Sequence, residues 1–305
     1  MNYKQSAFLI DSCAYFFRYY FSDVYQYFSD EGHASGGVYG FTSFLLSILE
    51  KYSPGFGACC FDEALDTCFR NDIYPQYKAN RAAPDEDIEF QLSACKQIAE
   101  LLGFSVFAHN RYEADDLIGS LVRQMCEDLS SENSCESLFI ISGDKDFYQL
   151  LDDSRVVLWD ITKKAPISQS DCNELTQLLP EQWIDFQTLV GDAVDNVPGV
   201  KGIGVKTATQ LLHQYGSLTG ILENIEQLNT LKIRNIKNIQ SQIQDNISSI
   251  AVSKILVTIE KNLTLIDKSD DIVVKPISFD GAAKFCCQMG FPNLVNRIER
   301  LIQLN

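Results

Sequence analysis

Short apolar runs alternate with longer segments of helical period through the first half of the chain. The runs are AFLI, then GVYGFTSFLLSILEKY, GACCF, IEFQLSACKQIAELLG, FSVFA, ADDLIGSLVRQMCEDL and LFIIS. Apolar stretches of four or five residues suit buried strands, and the stretches between them carry the 3.6-residue repeat of amphipathic helices. Such alternation predicts an α/β fold with a mostly parallel sheet covered by helices. A further strand, RVVLWDI, precedes a polar turn region, and from about Leu179 the pattern turns helical and polar. Asn, Gln and Ser are enriched between Asn224 and Ser249, and the chain carries no internal repeat.

Acidic residues recur where the apolar runs end. Asp11 follows AFLI, Asp62 follows ACCF, and Asp144 and Asp146 follow LFIISG; Glu113, Asp115, Asp116, Asp192 and Asp195 lie between and beyond them. Strand ends of an open α/β sheet converge on one crevice. Carboxylates gathered there repel one another unless hard cations sit among them. Oxygen-only ligands suit Mg²⁺ or Mn²⁺ and are typical of two-metal phosphodiester chemistry. Each group alone has an ordinary explanation: Glu113, Asp115 and Asp116 open a helix, where acids complement the macrodipole, and Asp144 and Asp146 can cap one. Glu113 and Asp116, like Asp192 and Asp195, also share a helix side at i and i+3. Acids at so many separate element ends are harder to explain that way.

At 305 residues and 46% hydrophobic, the chain can build one large domain or two smaller ones. Its ten cysteines include no C-x-x-C pair, and His33, His109 and His213 lie far from any cysteine cluster, which gives no support to zinc. Buried, reduced thiols are expected. No stretch reaches the length of a bilayer span, so the expectation is a soluble, cytoplasmic chain without membrane contact. A formal charge of −16 argues at first against a nucleic-acid partner. The distribution reverses this, since Pro198 to Lys261 holds seven Lys/Arg against four Asp/Glu, a local balance of 7 − 4 = +3.

Two further segments carry signals. In PGVKGIGVKTATQLL, the glycines around Ile203 permit a tight turn, and the following helix offers free N–H groups with Lys206 and Thr207 to a phosphate. This is helix-hairpin-helix logic, which holds DNA by its backbone; the plain alternative is a Gly-closed turn, against which Lys201 and Lys206 speak. In TCFRNDIYPQYKANRAAPDED, Arg70, Tyr77, Lys78 and Arg81 stand among turn formers directly after Asp62. A solvated loop is the default reading. Placed beside a metal ligand, Lys78 and Arg81 could offset a scissile phosphate's charge and Tyr77 could stack a base.

Taken together these blocks resemble the 5′ nuclease domain of bacterial DNA polymerase I and its stand-alone relatives in the flap endonuclease superfamily. The matching strings are LIDS with Arg18, GGVYGF, CCFDE, FRNDIYPQYKANR, YEADDLIGSL, ISGDKDFYQLL, TLVGDAVDNVPGVKGIGVKTATQLL and YGSLTGIL, in family order over about residues 7 to 225. The resemblance implies a PIN-like nuclease core over residues 1–178, including a helical arch at about 63–92. A helix-hairpin-helix (H3TH) domain over 179–265 and a C-terminal segment, 266–305, packing on the core would follow. It implies two divalent metals held by Asp11, Asp62, Glu113, Asp115, Asp116, Asp144, Asp146, Asp192 and Asp195, all present. Lys78 and Arg81 inherit catalytic roles; Arg18, Arg70, Tyr77, Lys201, Gly202, Gly204, Lys206 and Thr207 inherit DNA contacts, with a K⁺ on the hairpin carbonyls. Ser12 departs from the glycine usual in the family and is expected to narrow the space beside Asp11 without removing a ligand. No polymerase or proofreading domain follows, which suggests a free-standing nuclease or an excised part of a polymerase.

The expected function is a structure-selective 5′-3′ exonuclease and flap endonuclease acting as a monomer on branched, 5′-flap, nicked or gapped DNA. Asp11, Asp62, Glu113 and Asp115 would hold one cation, and Asp144, Asp146, Asp192 and Asp116 the second. The alternative is a non-catalytic module that binds branched DNA. A phosphatase would need a second Asp two residues after Asp11, where Cys13 stands.

Overall fold

The computed structural model describes residues 3–22, 26–64, 67–81, 86–128, 135–152, 155–163 and 165–304. Five parallel strands form one sheet: β1 (Ser6–Asp11), β2 (Phe56–Asp62), β3 (Ser105–His109), β4 (Ser137–Ile141) and β5 (Val156–Leu158), in the spatial order β3-β2-β1-β4-β5. The central strands are apolar on both faces because helices cover both. Along β1, Ala7 and Leu9 enter one core while Phe8 and Ile10 enter the other.

On the Phe8 side lie α1 (Ser12–Tyr20), α2 (Gly36–Tyr52) and, beyond the short α3 (Phe69–Ile73), α4 (Glu86–Leu101). The opposite face carries α5 (Ala114–Glu127). The chain then continues through α6 (Gln169–Thr176), α7 (Trp183–Val190), α8 (Val205–Tyr215), α9 (Leu218–Glu223), α10 (Ile236–Asp245) and α11 (Ile247–Val257). Residues of α7, α8, α9 and α10 join the core that contains α5.

After α11 an extended strap runs along α5. Ser120 Oγ donates to the Glu260 carbonyl, Arg123 Nε to Lys261 and Gln124 Nε2 to Ile266. The strap passes the N-terminal sheet edge, where Val274 N donates to Gly55 O and Lys275 N to Gly103 O. It ends in α12 (Phe279–Gln288) and α13 (Val295–Leu304), which pack on α4 and α2.

The aromatic segment after Asp11 is a helix, α1, whose first turn begins directly at the strand end. One feature differs from the sequence reading. The strand expected over RVVLWDI is confined to Val156–Leu158, since Trp159 turns inward against Tyr3 and Tyr52. All ten cysteines are free thiols, eight of them buried. Among the described residues no helix is long and apolar enough to cross a membrane.

Candidate metal centre

The strand order reverses between β1 and β4, and the carboxyl ends of strands on either side open into one crevice. Asp11 closes β1 and caps α1, accepting from Ala14 N at 3.3 Å. Asp62 closes β2 and accepts from Ala114 N, at the start of α5, at 2.7 Å. Glu113 is the N-cap of α5 and forms a capping box with Asp116, whose Oδ2 accepts from Glu113 N at 3.1 Å. Asp144 caps the 3₁₀ turn Lys145–Leu150 after β4, and Asp146 in that turn accepts from Gln187 Nε2 of α7 at 2.6 Å.

Asp115 lies in the first turn of α5, and Asp192 and Asp195 follow α7. Gly191 holds φ +76°, and a Cβ there would lie 2.4 Å from Gly199 N, so only glycine lets the chain leave the helix this closely packed. The turn that follows is closed by Asp192 N to Val197 O at 3.0 Å and Val197 N to Asp192 O at 2.7 Å. Its Asp192 side chain accepts from Val194 N at 2.7 Å. Ligand atoms of Asp146, Asp192 and Asp195 lie within 4.8 Å of one another, as do those of Glu113, Asp115 and Asp116.

Charge is costly in this crevice. Burial, followed by the neighbouring Asp62, pushes the Asp11 carboxyl up to about 7. Burial and then Asp144 push Asp146 up to about 7 as well. Burial raises Asp62 despite Lys78 nearby, and burial together with Asp116 raises Asp115. Glu113 runs the other way: burial opposes its charge, but Lys78 and Arg70 outweigh burial and hold its carboxyl below the usual range.

The loop before α4 folds down on these acids. Lys78 N donates to Asp195 O at 3.0 Å, Asn196 Nδ2 to Gln76 O at 2.6 Å and Asn80 Nδ2 to Val194 O at 3.1 Å. Lys78 adopts φ +53°, a strained choice for a side chain of its type. Its Nζ contacts Glu113 Oε1 and lies 3.5 Å from Asp195 Oδ2, and Arg81 pairs with Asp195. Residues 65–66 and 82–85 of the expected arch lie outside the described residues.

Three expectations are corrected here. Arg70, expected on DNA, is 1% exposed and donates to Asp116, Glu113 and two main-chain carbonyls. Tyr77, expected to stack a base, is buried and its hydroxyl donates to Glu113 Oε2 at 2.9 Å. Asp116, expected with the second cation, is fully buried beside Glu113 and Asp115, and both its oxygens accept from Arg70 at 2.7 Å. Asp195 stands with Asp146 and Asp192 in its place.

Elsewhere the candidates are accessible. Lys201, Gly202, Gly204 and Lys206 are exposed and Thr207 is half-buried, while Ile203 anchors the turn in the core. Gly202 has φ +89°; Gly204 is the N-cap of α8 and offers no side-chain cap. Arg18 is exposed and lies 3.7 Å from Asp160. Ser12 is buried with its hydroxyl turned back to Ile10 O at 3.4 Å.

The sequence reading missed Ser142 and Gln187. Ser142 Oγ donates to Asp11 Oδ2, and Gln187 binds Asp146 while its buried Oε1 has no hydrogen-bond partner among the described residues. A glutamine inside the apolar run WIDFQTLV was the available signal for the second; nothing distinguished Ser142.

A model of the 5′-3′ exonuclease N-terminal, resolvase-like domain matches residues 6–177, and one of the 5′-3′ exonuclease C-terminal SAM fold matches residues 178–280. The chain is 33% identical over 278 residues to a 5′-3′ exonuclease of Buchnera aphidicola, covering 90% of this chain and 93% of that one. It is 34% identical over 263 residues to a 5′-3′ exonuclease of Bacillus subtilis, with 84% of each chain covered. DNA polymerase I of Streptococcus pneumoniae is 33% identical over 300 residues, covering 95% of this chain, which spans only 32% of that longer protein. Among solved structures, the D15 flap endonuclease of bacteriophage T5, complexed with DNA and metal ions, matches with a TM-score of 0.66 at 20% identity, covering 98% of this chain and 99% of that one. The catalytic core of Rad2 with DNA substrate matches with a TM-score of 0.64 at 13% identity, covering 98% and 91%. These two share the fold.

Proposed function

The chain belongs to the 5′-3′ exonuclease family, and on that premise we propose that it hydrolyses phosphodiester bonds at the 5′ ends of branched DNA. Flaps, nicks and gaps are the substrates, and two Mg²⁺ or Mn²⁺ ions serve the reaction. The observation carrying this reading is the convergence of acids from separate segments into one crevice, where burial resists their charge.

The donor set fits hard cations. The ligand candidates are all carboxylates, without histidine or thiolate, and the orphaned buried Gln187 Oε1 beside Asp146 is the kind of acceptor a hydrated cation satisfies. Asp11, Asp62, Glu113 and Asp115 would hold one ion, and Asp144, Asp146, Asp192 and Asp195 the other. When bound, such a pair polarises the scissile phosphate and makes water a competent nucleophile at neutral pH.

The chain's own residues supply the rest. Lys78 and Arg81 stand against Glu113 and Asp195 and would turn their charges to the phosphate once cations occupy the acids. The hairpin at Gly202–Gly204 with Lys201, Lys206 and Thr207 would hold duplex by its backbone, its carbonyls taking a K⁺, and Arg18 would contact the strand near Asp11. Catalysis would thus reside in residues 1–178 and duplex binding in 179–265, within one monomer. A labelled 5′-flap duplex incubated with Mg²⁺ should release short 5′ products, and none with a chelator. Binding without any Mg²⁺-dependent product would overturn the reading.

A further inference from the structure

Arg70 occupies the second position of a five-residue helix in a charged loop, where solvent exposure is the ordinary outcome. It is instead among the largest fully buried side chains in the protein. Its guanidinium is satisfied in every direction: Nη1 and Nη2 reach Asp116 Oδ2 and Oδ1 at 2.7 Å, Nη1 reaches Glu113 Oε2 at 3.0 Å, and Nε and Nη2 reach Leu256 O and Thr258 O at 2.9 Å. Burying an arginine is costly unless its planar fork is matched this completely, and lysine cannot reproduce the match.

The partners belong to separate parts of the chain. Glu113 and Asp116 form the capping box of α5, whose intervening residue is Asp115. Leu256 and Thr258 close α11, whose last carbonyls lack partners within the helix. Asp116 Oδ1 also accepts from Glu260 N at 2.8 Å, so the strap is fixed to the same carboxylate. Through α11, which packs on α7, this joint reaches the helix that presents Gln187 and leads into Asp192.

Resting on the metal-dependent reading above, we infer that Arg70 is a positioning residue for that reaction. It neutralises Asp116 and fixes the Glu113 carboxylate through Oε2, so that Glu113 Oε1, which Lys78 Nζ now contacts, and Asp115 Oδ2 are the oxygens to be turned to a divalent cation once Lys78 swings to the phosphate. Asp116 is thereby a post for Arg70 and not a ligand.

The test uses two variants, Arg70→Lys and the apolar pair Arg70→Met with Asp116→Leu. Each is examined by thermal melting, by Mn²⁺ titration of the DNA-free protein with electron paramagnetic resonance, and by flap cleavage. Removing a group that orients a metal ligand typically weakens metal affinity or activity by about 10- to 100-fold. Arg70→Lys should bind Mn²⁺ more weakly by about that factor and lose kcat in parallel, with KM for the flap within about threefold of the parent. The apolar pair, free of unpaired buried charge but leaving the Leu256 and Thr258 carbonyls and Glu260 N without Arg70 and Asp116, should regain part of the melting temperature lost in Arg70→Lys without recovering Mn²⁺ affinity or kcat. Parental Mn²⁺ binding and kcat in Arg70→Lys, or their return with stability in the apolar pair, would reduce Arg70 to a support of the fold. Should the apolar pair fail to fold, Arg70→Lys alone decides. A parental protein that neither binds Mn²⁺ nor cleaves would sink the underlying reading before any variant is compared.

Discussion

Ser142 Oγ donates a 2.8 Å hydrogen bond to Asp11 Oδ2, across the line where the sheet reverses its strand order. The same oxygen accepts from Asp144 N at 3.1 Å, so one buried hydroxyl ties the acid ending β1 to the acid following β4. A hydrogen bond to a charged group is worth roughly 1.5–3 kcal/mol. Ser142→Ala should therefore keep its fold but need about tenfold more Mg²⁺ for half-maximal flap cleavage, as a metal titration of the rate would show.

Lys78 and Arg81 sit on the acids they are expected to release. Losing one preorganised cationic or hydrogen-bonding group at a developing charge costs on the order of a hundredfold in rate. Lys78→Ala and Arg81→Ala should each slow single-turnover flap cleavage by about that factor. A Lys78→Ala protein cleaving at the parental rate would remove Lys78 from the mechanism.

Ser12 stands where the resemblance implies a glycine, and its hydroxyl faces Ile10 O. Ser12→Gly should leave the cleavage rate within about twofold of the parent. It should lower the melting temperature slightly, since glycine at a helix start gains backbone entropy on unfolding. A large rate increase would show that the hydroxyl does obstruct Asp11.

Glu50 and Arg297 join α2 to α13 through paired hydrogen bonds of 2.9 and 2.7 Å. The Arg297 hydrogen bond holds the Glu50 carboxyl below its usual range. A depressed folded value contributes stability above the unfolded pKa of about 4.3, and this is lost as pH falls through the folded value. Because 33% of the Glu50 side chain stays open to solvent, the contribution is no more than about 1 kcal/mol. Glu50→Gln should thus melt about 2–4 °C below the parent at pH 7, the gap closing toward pH 3. A gap that widens on acidification would contradict the pairing.

The sheet was legible because β-strands buried on both faces must read as continuous apolar runs, and Asp11, Asp62, Asp144 and Asp146 were legible because they follow such runs. What the sequence hid depends on distant partners. Arg70 carries the charge of a DNA contact, yet a carbonyl 186 residues away, at Leu256, covers it. Tyr77 has the look of an exposed aromatic until Glu113, 36 residues on, takes its hydroxyl. Asp116 shares its spacing with Asp115, and only the guanidinium beside it separates their roles. Ser142 is a small polar residue in a turn, a position where serine is ordinary.

Crystals soaked in Mn²⁺ and measured at the manganese absorption edge give the most direct test of the centre. Two anomalous peaks are expected, one bounded by Asp11, Asp62, Glu113 and Asp115 and the other by Asp144, Asp146, Asp192 and Asp195. An empty crevice at saturating Mn²⁺, or manganese bound only on other surfaces, would contradict the account.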